Sequence, residues 1–223
     1  MKQSSPISAV IVRGLTVGDL REVARVHCQA FPQAALTLLG PQAVYRYYHW
    51  QLTGPHQCVG LGAWAGGRLC GYAFGGRFHG ALRGFLQKNR AYLVLSLATR
   101  PWLLARHAFR DRISLAFRSL ARGLRQRSAS ISQEGLKRPS PARVDFGILA
   151  IGVDPDMRRL GVGRLLMERS ESAARTWSAS QMGLSVAVDN SKAIAFYEAL
   201  GWRRENRTGD WTGRMVKELA ADS

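Results

Sequence analysis

The chain moves between two apolar rhythms. Short apolar or alternating runs, the mark of strands, fall at residues 9–13, 58–64, 69–75, 144–153, 184–188 and 214–219. Between them, apolar residues spaced by three and four mark helices. Thr16 and Asp19 form a helix start with Thr16 as N-cap, and Leu20, Val23, Ala24, His27 and Phe31 follow on one face until Pro32. A second helix over 41–52 turns Val44, Tyr47 and Tyr48 inward. A third over 160–177 does so with Leu165, Leu166, Ser170 and Ala173 or Ala174, and a fourth spans 191–200. Ala65-Gly66-Gly67-Arg68 splits two apolar runs, which predicts a hairpin. Strand, helices, hairpin, then strand and helix in alternation describe an α/β chain, an α+β mixed sheet. No internal repeat is present, and 223 residues suit one compact domain with a decoration.

Charge locates the decoration. The net charge is +17, and residues 77–143 hold 15 Arg and Lys against two acids, Asp111 and Glu134, which is thirteen of the seventeen. In that segment Pro101 opens a helix whose Trp102, Phe109, Ile113, Ala116, Phe117 and Leu120 share a face. Arg110, Arg112, Arg118 and Arg122 lie off it and Arg106 falls near its edge. Residues 128–141, rich in Ser, Gly and Pro, read as a flexible return. Three divisions follow: 1–76, 77–143 and 144–223.

Other chemistry is sparse. Cys28, Cys58 and Cys70 form no Cys-x-x-Cys pair and read as small buried residues in a reducing compartment. His27, His49, His56, His79 and His107 show no ligand spacing, so no metal is expected. The first residues are too polar for a signal peptide, and the longest apolar run, 91–99, is well short of the ~18 residues of a membrane span. The Tyr45–Trp50 cluster either walls a substrate-side pocket or packs the second helix.

The strongest local motif follows the strand that ends Val153-Asp154-Pro155. Gly161-Val162-Gly163 opens a helix, where unpaired N–H groups and the dipole attract phosphate. Arg158, Arg159 and Arg164 add charge around the same turn. A dinucleotide fingerprint would need a third glycine where Leu166 stands, and a Walker loop would need Gly-Lys-Ser/Thr.

Arg158-x-x-Gly161-x-Gly163 after Val-Asp-Pro resembles the coenzyme-A pyrophosphate loop of the GNAT superfamily. Asn190, Ala193, Tyr197 and Gly201-Trp202 resemble its second signature. The resemblance covers residues 145–202 and implies a GNAT acyl-CoA N-acyltransferase fold with acetyl-CoA as co-substrate. It implies that Ile151, Gly152 and Val153 pair with the pantetheine arm. The amides of Arg159, Leu160, Gly161, Val162, Gly163 and Arg164, with Arg158 beside them, would hold the pyrophosphate. Asn190 would bond the arm or order the nearby backbone. Tyr197 would protonate the departing thiolate, phenol and thiol having comparable pKa values. Asp145, directly or through water, would deprotonate the amine, since N-terminal protein acetyltransferases of this superfamily carry a glutamate there.

The acceptor would be a small-molecule or protein amine, and the basic segment stands where such enzymes select it. That segment reads as an interfacial helix on anionic lipid, with an amino sugar or glycan precursor as acceptor. Two other readings are a solvated lid and, behind it, an RNA or ribosome contact. A non-catalytic module docking on membrane or nucleic acid is the reading from another class. The expected location is cytoplasmic, with peripheral contact at the inner membrane face.

Overall fold

The computed structural model describes residues 9–78, 81–105, 145–206 and 210–219. Seven strands form one sheet: β1 (Ile11–Gly14), β2 (Gln57–Ala65), β3 (Arg68–Arg77), β4 (Phe146–Val153), β5 (Gln181–Ser185), β6 (Arg203–Arg204) and β7 (Arg214–Glu218). Their order is β1-β2-β3-β4-β5-β7-β6, with β4–β5 the parallel neighbours and the other pairs antiparallel. The helices are α1 (Leu20–Ala30), α2 (Ala35–Leu38), α3 (Pro41–Thr53), α4 (Ala81–Lys88), α5 (Arg90–Ala98), α6 (Trp102–Ala105), α7 (Val162–Thr176) and α8 (Ser191–Glu198). The sequence shows β1, the β2–β3 hairpin, β4 and the four framework helices near their observed places. It gives no sign of α2 or β6.

Side-chain chemistry caps the 3-10 turn Val17–Asp19 that leads into α1. The Thr16 amide and hydroxyl donate to Asp19 Oδ2 at 2.8 and 2.9 Å, and Arg13 clamps the same carboxylate from the end of β1. Arg13 is the main reason that Asp19 titrates well below an ordinary carboxylate. Leu20, Val23, Ala24 and His27 are buried as their spacing requires.

β4 serves two cores. Phe146 and Ile148 pack in a C-terminal cluster with Met167, Met182, Leu184, Tyr197 and Trp202. Leu149 and Ala150 instead pack against an N-terminal cluster of Leu20, Val23, Tyr48, Tyr72 and Phe74. The change of face has a local cause. Phe74 pairs with Ala150 and Gly75 with Ile148, so Leu149 is an extra residue, a β-bulge. Simple alternation along the strand would put Gly147, Leu149 and Ile151 on the face of Asp145, and the bulge breaks it at Leu149.

β5 lies three residues before its expected place, at Gln181–Ser185 rather than 184–188. Its pairing with β7 decides this: Gln181 faces Glu218 and Ser185 faces Arg214. Gln181 looks polar but is buried, its Nε2 donating to Glu218 Oε1 at 2.7 Å. Val188, which looks like core, is 58% exposed.

Of the basic segment, α4, α5 and α6 are described. The expected helical face through Phe109 to Leu120 and the return over 128–141 lie outside the described residues. Among the described residues no helix is long and apolar enough to cross a membrane.

Candidate active site

The site begins where two parallel strands part. β4 and β5 pair at Phe146–Met182 and Gly147–Gly183, and the pairing stops there. The β4 backbone beyond Gly147 keeps β3 on one side and leaves its other edge open. An open strand edge offers N–H and C=O groups to an extended ligand. Gly152 has a packing reason for its identity: a Cβ there would meet the Tyr72 ring at 2.6 Å.

β4 ends on a fixed turn. The buried Asp154 accepts from Arg25 at 3.1 Å, from Arg68 at 3.2 Å and from its own turn through the Asp156 amide at 3.2 Å. That anchor sets the direction of the loop to α7. Gly161 is the N-cap of α7 with φ +80°, a left-handed conformation that glycine takes without penalty. Leu165 N–H donates to the Gly161 carbonyl at 3.0 Å. The amides before it, at the helix start, are the ones that a helix leaves without an internal partner.

One cavity of about 630 Å³ joins these parts. Ile151, Gly152 and Val153 line it from β4, Arg158, Arg159, Gly161, Gly163 and Arg164 from the loop and first turn, and Asn190 and Tyr197 from α8. The backbone edge, the helix start and the downstream signature thus meet in one concavity. Two of the expected loop residues turn away. Leu160 is exposed, and Val162 is buried between the sheet and α7, where it packs with Ala63, Cys70 and Leu166. Either can contribute only its backbone.

Asn190 caps α8, its Oδ1 accepting from the Ala193 amide at 3.2 Å. Tyr197 is 8% exposed, and burial pushes its phenol up to about 12. Its hydroxyl makes no hydrogen bond to the described residues, while its ring packs on Phe196 and Trp202.

Asp145 does not line the cavity. Its Oδ2 accepts from the Ser180 hydroxyl at 2.8 Å and the Ser180 amide at 3.1 Å, bonds that hold its pKa below the usual range. Its carbonyl accepts from Arg77 Nε at 3.0 Å, and its amide donates to Gln181. Asp145 joins the starts of β4 and β5, six residues, or about 20 Å of strand, before Ile151.

Ala193 of the second signature also lines the cavity, and further lining residues were not read from the sequence: Ala30 and Phe31 from the end of α1, Met157 from the turn, and Lys192 and Phe196 from α8. Lys192 and Phe196 had a usable signal, since they stand four apart on one helical face. Ala30 and Phe31 had none, because their approach depends on how α1 crosses the sheet. Among the described residues no group of three or more His, Cys, Asp or Glu converges as for a metal.

Residues 134–202 match the family described as Acetyltransferase (GNAT) family. The [ribosomal protein bS18]-alanine N-acetyltransferase of Salmonella typhimurium is 42% identical over 52 residues, 23% of this chain and 35% of the relative, so this chain spans about a third of that relative's length. The PaiA N-acetyltransferase of Thermoplasma acidophilum, solved in complex with coenzyme A, superposes with TM-score 0.55 at 12% identity over 95% of this chain and 99% of its own. The ribosomal-protein-S18-alanine N-acetyltransferase of Escherichia coli gives 0.54 at 15% identity over 96% and 97%.

Proposed function

With residues 134–202 a segment of the GNAT acetyltransferase family and that family's fold around it, we propose that this chain transfers an acetyl group from acetyl-CoA to a primary amine. The observation that carries the reading is the single cavity shared by the open β4 edge, the start of α7 and Tyr197. The residues fit such a co-substrate. Helix-start amides and Arg158, Arg159, Arg164 and Lys192 suit a pyrophosphate, and the β4 edge suits an amide-bearing chain. Asn190 acts by ordering the first turn of α8, which carries Lys192 and Tyr197.

In the proposed reaction the amine nitrogen attacks the thioester carbonyl carbon. The C–N bond forms, the C–S bond breaks, and the thiolate takes the phenolic proton of Tyr197. Like any phenol Tyr197 carries its proton at neutral pH, and burial, which pushes its pKa up to about 12, makes it a weaker acid than the free side chain and no longer matched to a thiol. The amine's proton leaves over water, and the same water returns a proton to the Tyr197 phenolate, so the proton count closes. Asp145 takes part only through such water, and its depressed proton affinity makes it a weak base. The amide and free coenzyme A are the products.

For the acceptor, a protein N-terminus is favoured by the bS18-alanine relatives. An amino sugar or glycan precursor at an anionic membrane is favoured by the charge of residues 77–143 and by the exposed Val94, Leu95 and Trp102. Calorimetry with acetyl-CoA tests the co-substrate, with a micromolar dissociation constant as the expected result. An acetyl-CoA assay over amino sugars, N-terminal peptides, polyamines and aminoglycosides tests the acceptor. Absence of binding at high micromolar acetyl-CoA would overturn the enzyme reading.

A further inference from the structure

A second concavity, of about 330 Å³, lies between α3 and the α4–α5 junction. Gln42, Tyr45, Arg46, His49 and Trp50 line it from one face of α3, with Lys88 and Asn89 opposite. It shares no lining residue with the acetyl-CoA cavity.

Its two cations are held in place. The Arg46 guanidinium sits 4.5 Å over the Tyr92 ring and donates to Asn89 Oδ1 at 3.3 Å. Asn89 is buried and donates in turn to the Phe85 carbonyl at 3.0 Å. Lys88 Nζ lies 5.3 Å over Trp50, whose Nε1 donates to the Ala81 carbonyl at 2.7 Å. Neither cation meets a carboxylate among the described residues.

The sequence removes the local source of one. From position 23 to position 110 there is no aspartate or glutamate. The positive field of this face is therefore cancelled by nothing from its own helices, although an uncompensated pair of cations costs stability.

We propose that this concavity binds the phosphate group of a phosphate ester distinct from coenzyme A. An Arg fork beside a Lys point charge matches a phosphate's several oxygens. Gln42 and His49 supply further hydrogen-bonding groups, and the Tyr45 ring offers a face for the organic part of the ester. The phosphate could arrive on a soluble molecule or on a lipid headgroup, since α5 exposes Val94 and Leu95 beside Tyr92.

The test keeps coenzyme A saturating and measures the full chain against inorganic pyrophosphate, and against vesicles of phosphatidylglycerol or of phosphatidylcholine. The double variant Arg46→Gln/Lys88→Gln should weaken pyrophosphate binding, phosphatidylglycerol binding, or both, by about tenfold or more. Its coenzyme A affinity should stay unchanged, which also shows that it folds. Loss in the pyrophosphate arm identifies a soluble source, and loss confined to phosphatidylglycerol identifies a lipid. The control Arg169→Gln, on exposed α7 surface, should change neither. Binding to neither probe, equal binding by the double variant, or an equal loss in the control would overturn the proposal. Failure of coenzyme A itself to bind would sink the acetyl-transfer reading and leave this one standing.

Discussion

The two anion sites proposed on either side of β4 are built in different ways. On the C-terminal side the phosphate-seeking groups are largely backbone: helix-start amides set by Gly161 and an open strand edge. On the N-terminal side they are side chains, Arg46 and Lys88 on aromatic rings. Backbone donors keep their charge distribution at any pH and give up little entropy on binding. Side-chain cations are more easily screened and can be removed one at a time. The same contrast holds inside the cores. The N-terminal cluster buries a polar triad in which His27 Nδ1 lies 2.7 Å from the Tyr72 hydroxyl and 3.0 Å from that of Tyr48, the two hydroxyls being 2.9 Å apart. The C-terminal cluster gathers Phe, Met, Leu and Trp around Tyr197.

The sharpest break in this comparison should come from Tyr197→Phe. It removes one oxygen from the C-terminal side and should lower kcat by about a hundredfold or more, with acetyl-CoA affinity nearly unchanged. Unchanged turnover in a steady-state assay would remove the acid role. Next in size is acid sensitivity, which belongs to the N-terminal side. Burial lowers His27 to about 4 from an ordinary 6.5. Below 6.5 the unfolded chain takes up a proton that the folded chain refuses until about 4, so stability falls as pH drops through that window. The loss approaches roughly 3 kcal/mol. Urea titrations at pH 7 and pH 4.5 should show it, and His27→Gln should flatten the difference.

Gly161→Ala probes the backbone site alone. Forcing a Cβ into φ +80° costs roughly 1–2 kcal/mol, so coenzyme A affinity should fall by about tenfold in calorimetry. The smallest effect should be that of Asp145→Asn. As a weak base acting through water, Asp145 should contribute a few-fold at most to kcat. The stability it adds is present above the ordinary carboxylate value of 3.8 and is lost as pH falls through its lower folded value. The variant should therefore change the acid limb of an unfolding curve more than the rate.

The difference between the two sides also explains what could be read from the sequence. The turn before α7 was legible as a turn because its backbone demands leave a signature in residue type, as at Gly161, and Tyr197 was legible because it sits at fixed helical spacing from Asn190. Of the second concavity only the Tyr45–Trp50 wall was legible, as one of two readings. Arg46 and Lys88 are remote in sequence and meet only because α4 folds back on α3, which no periodicity reports. Asp145 was found for its place at the start of a strand, but its engagement with Ser180 comes from a strand whose limits the apolar run misplaced. The face change in β4 escaped notice because a bulge is a property of pairing, and Leu149 looks like any other strand residue.

The double service of β4 has a consequence for how the chain is made. The edge of β3 that will receive β4 is complete at Arg77, yet its partner begins at Phe146, beyond the whole of the basic segment. At roughly 5–20 residues per second, a ribosome leaves that edge unpartnered for several seconds. Until then the N-terminal core lacks Leu149 and Ala150, and the C-terminal core has not begun to form. An exposed strand edge in a nascent chain invites pairing with a neighbour. The lone stretch of synthesis between the two strands is also the most positively charged, and mutual repulsion between nascent copies would hold those edges apart while they wait.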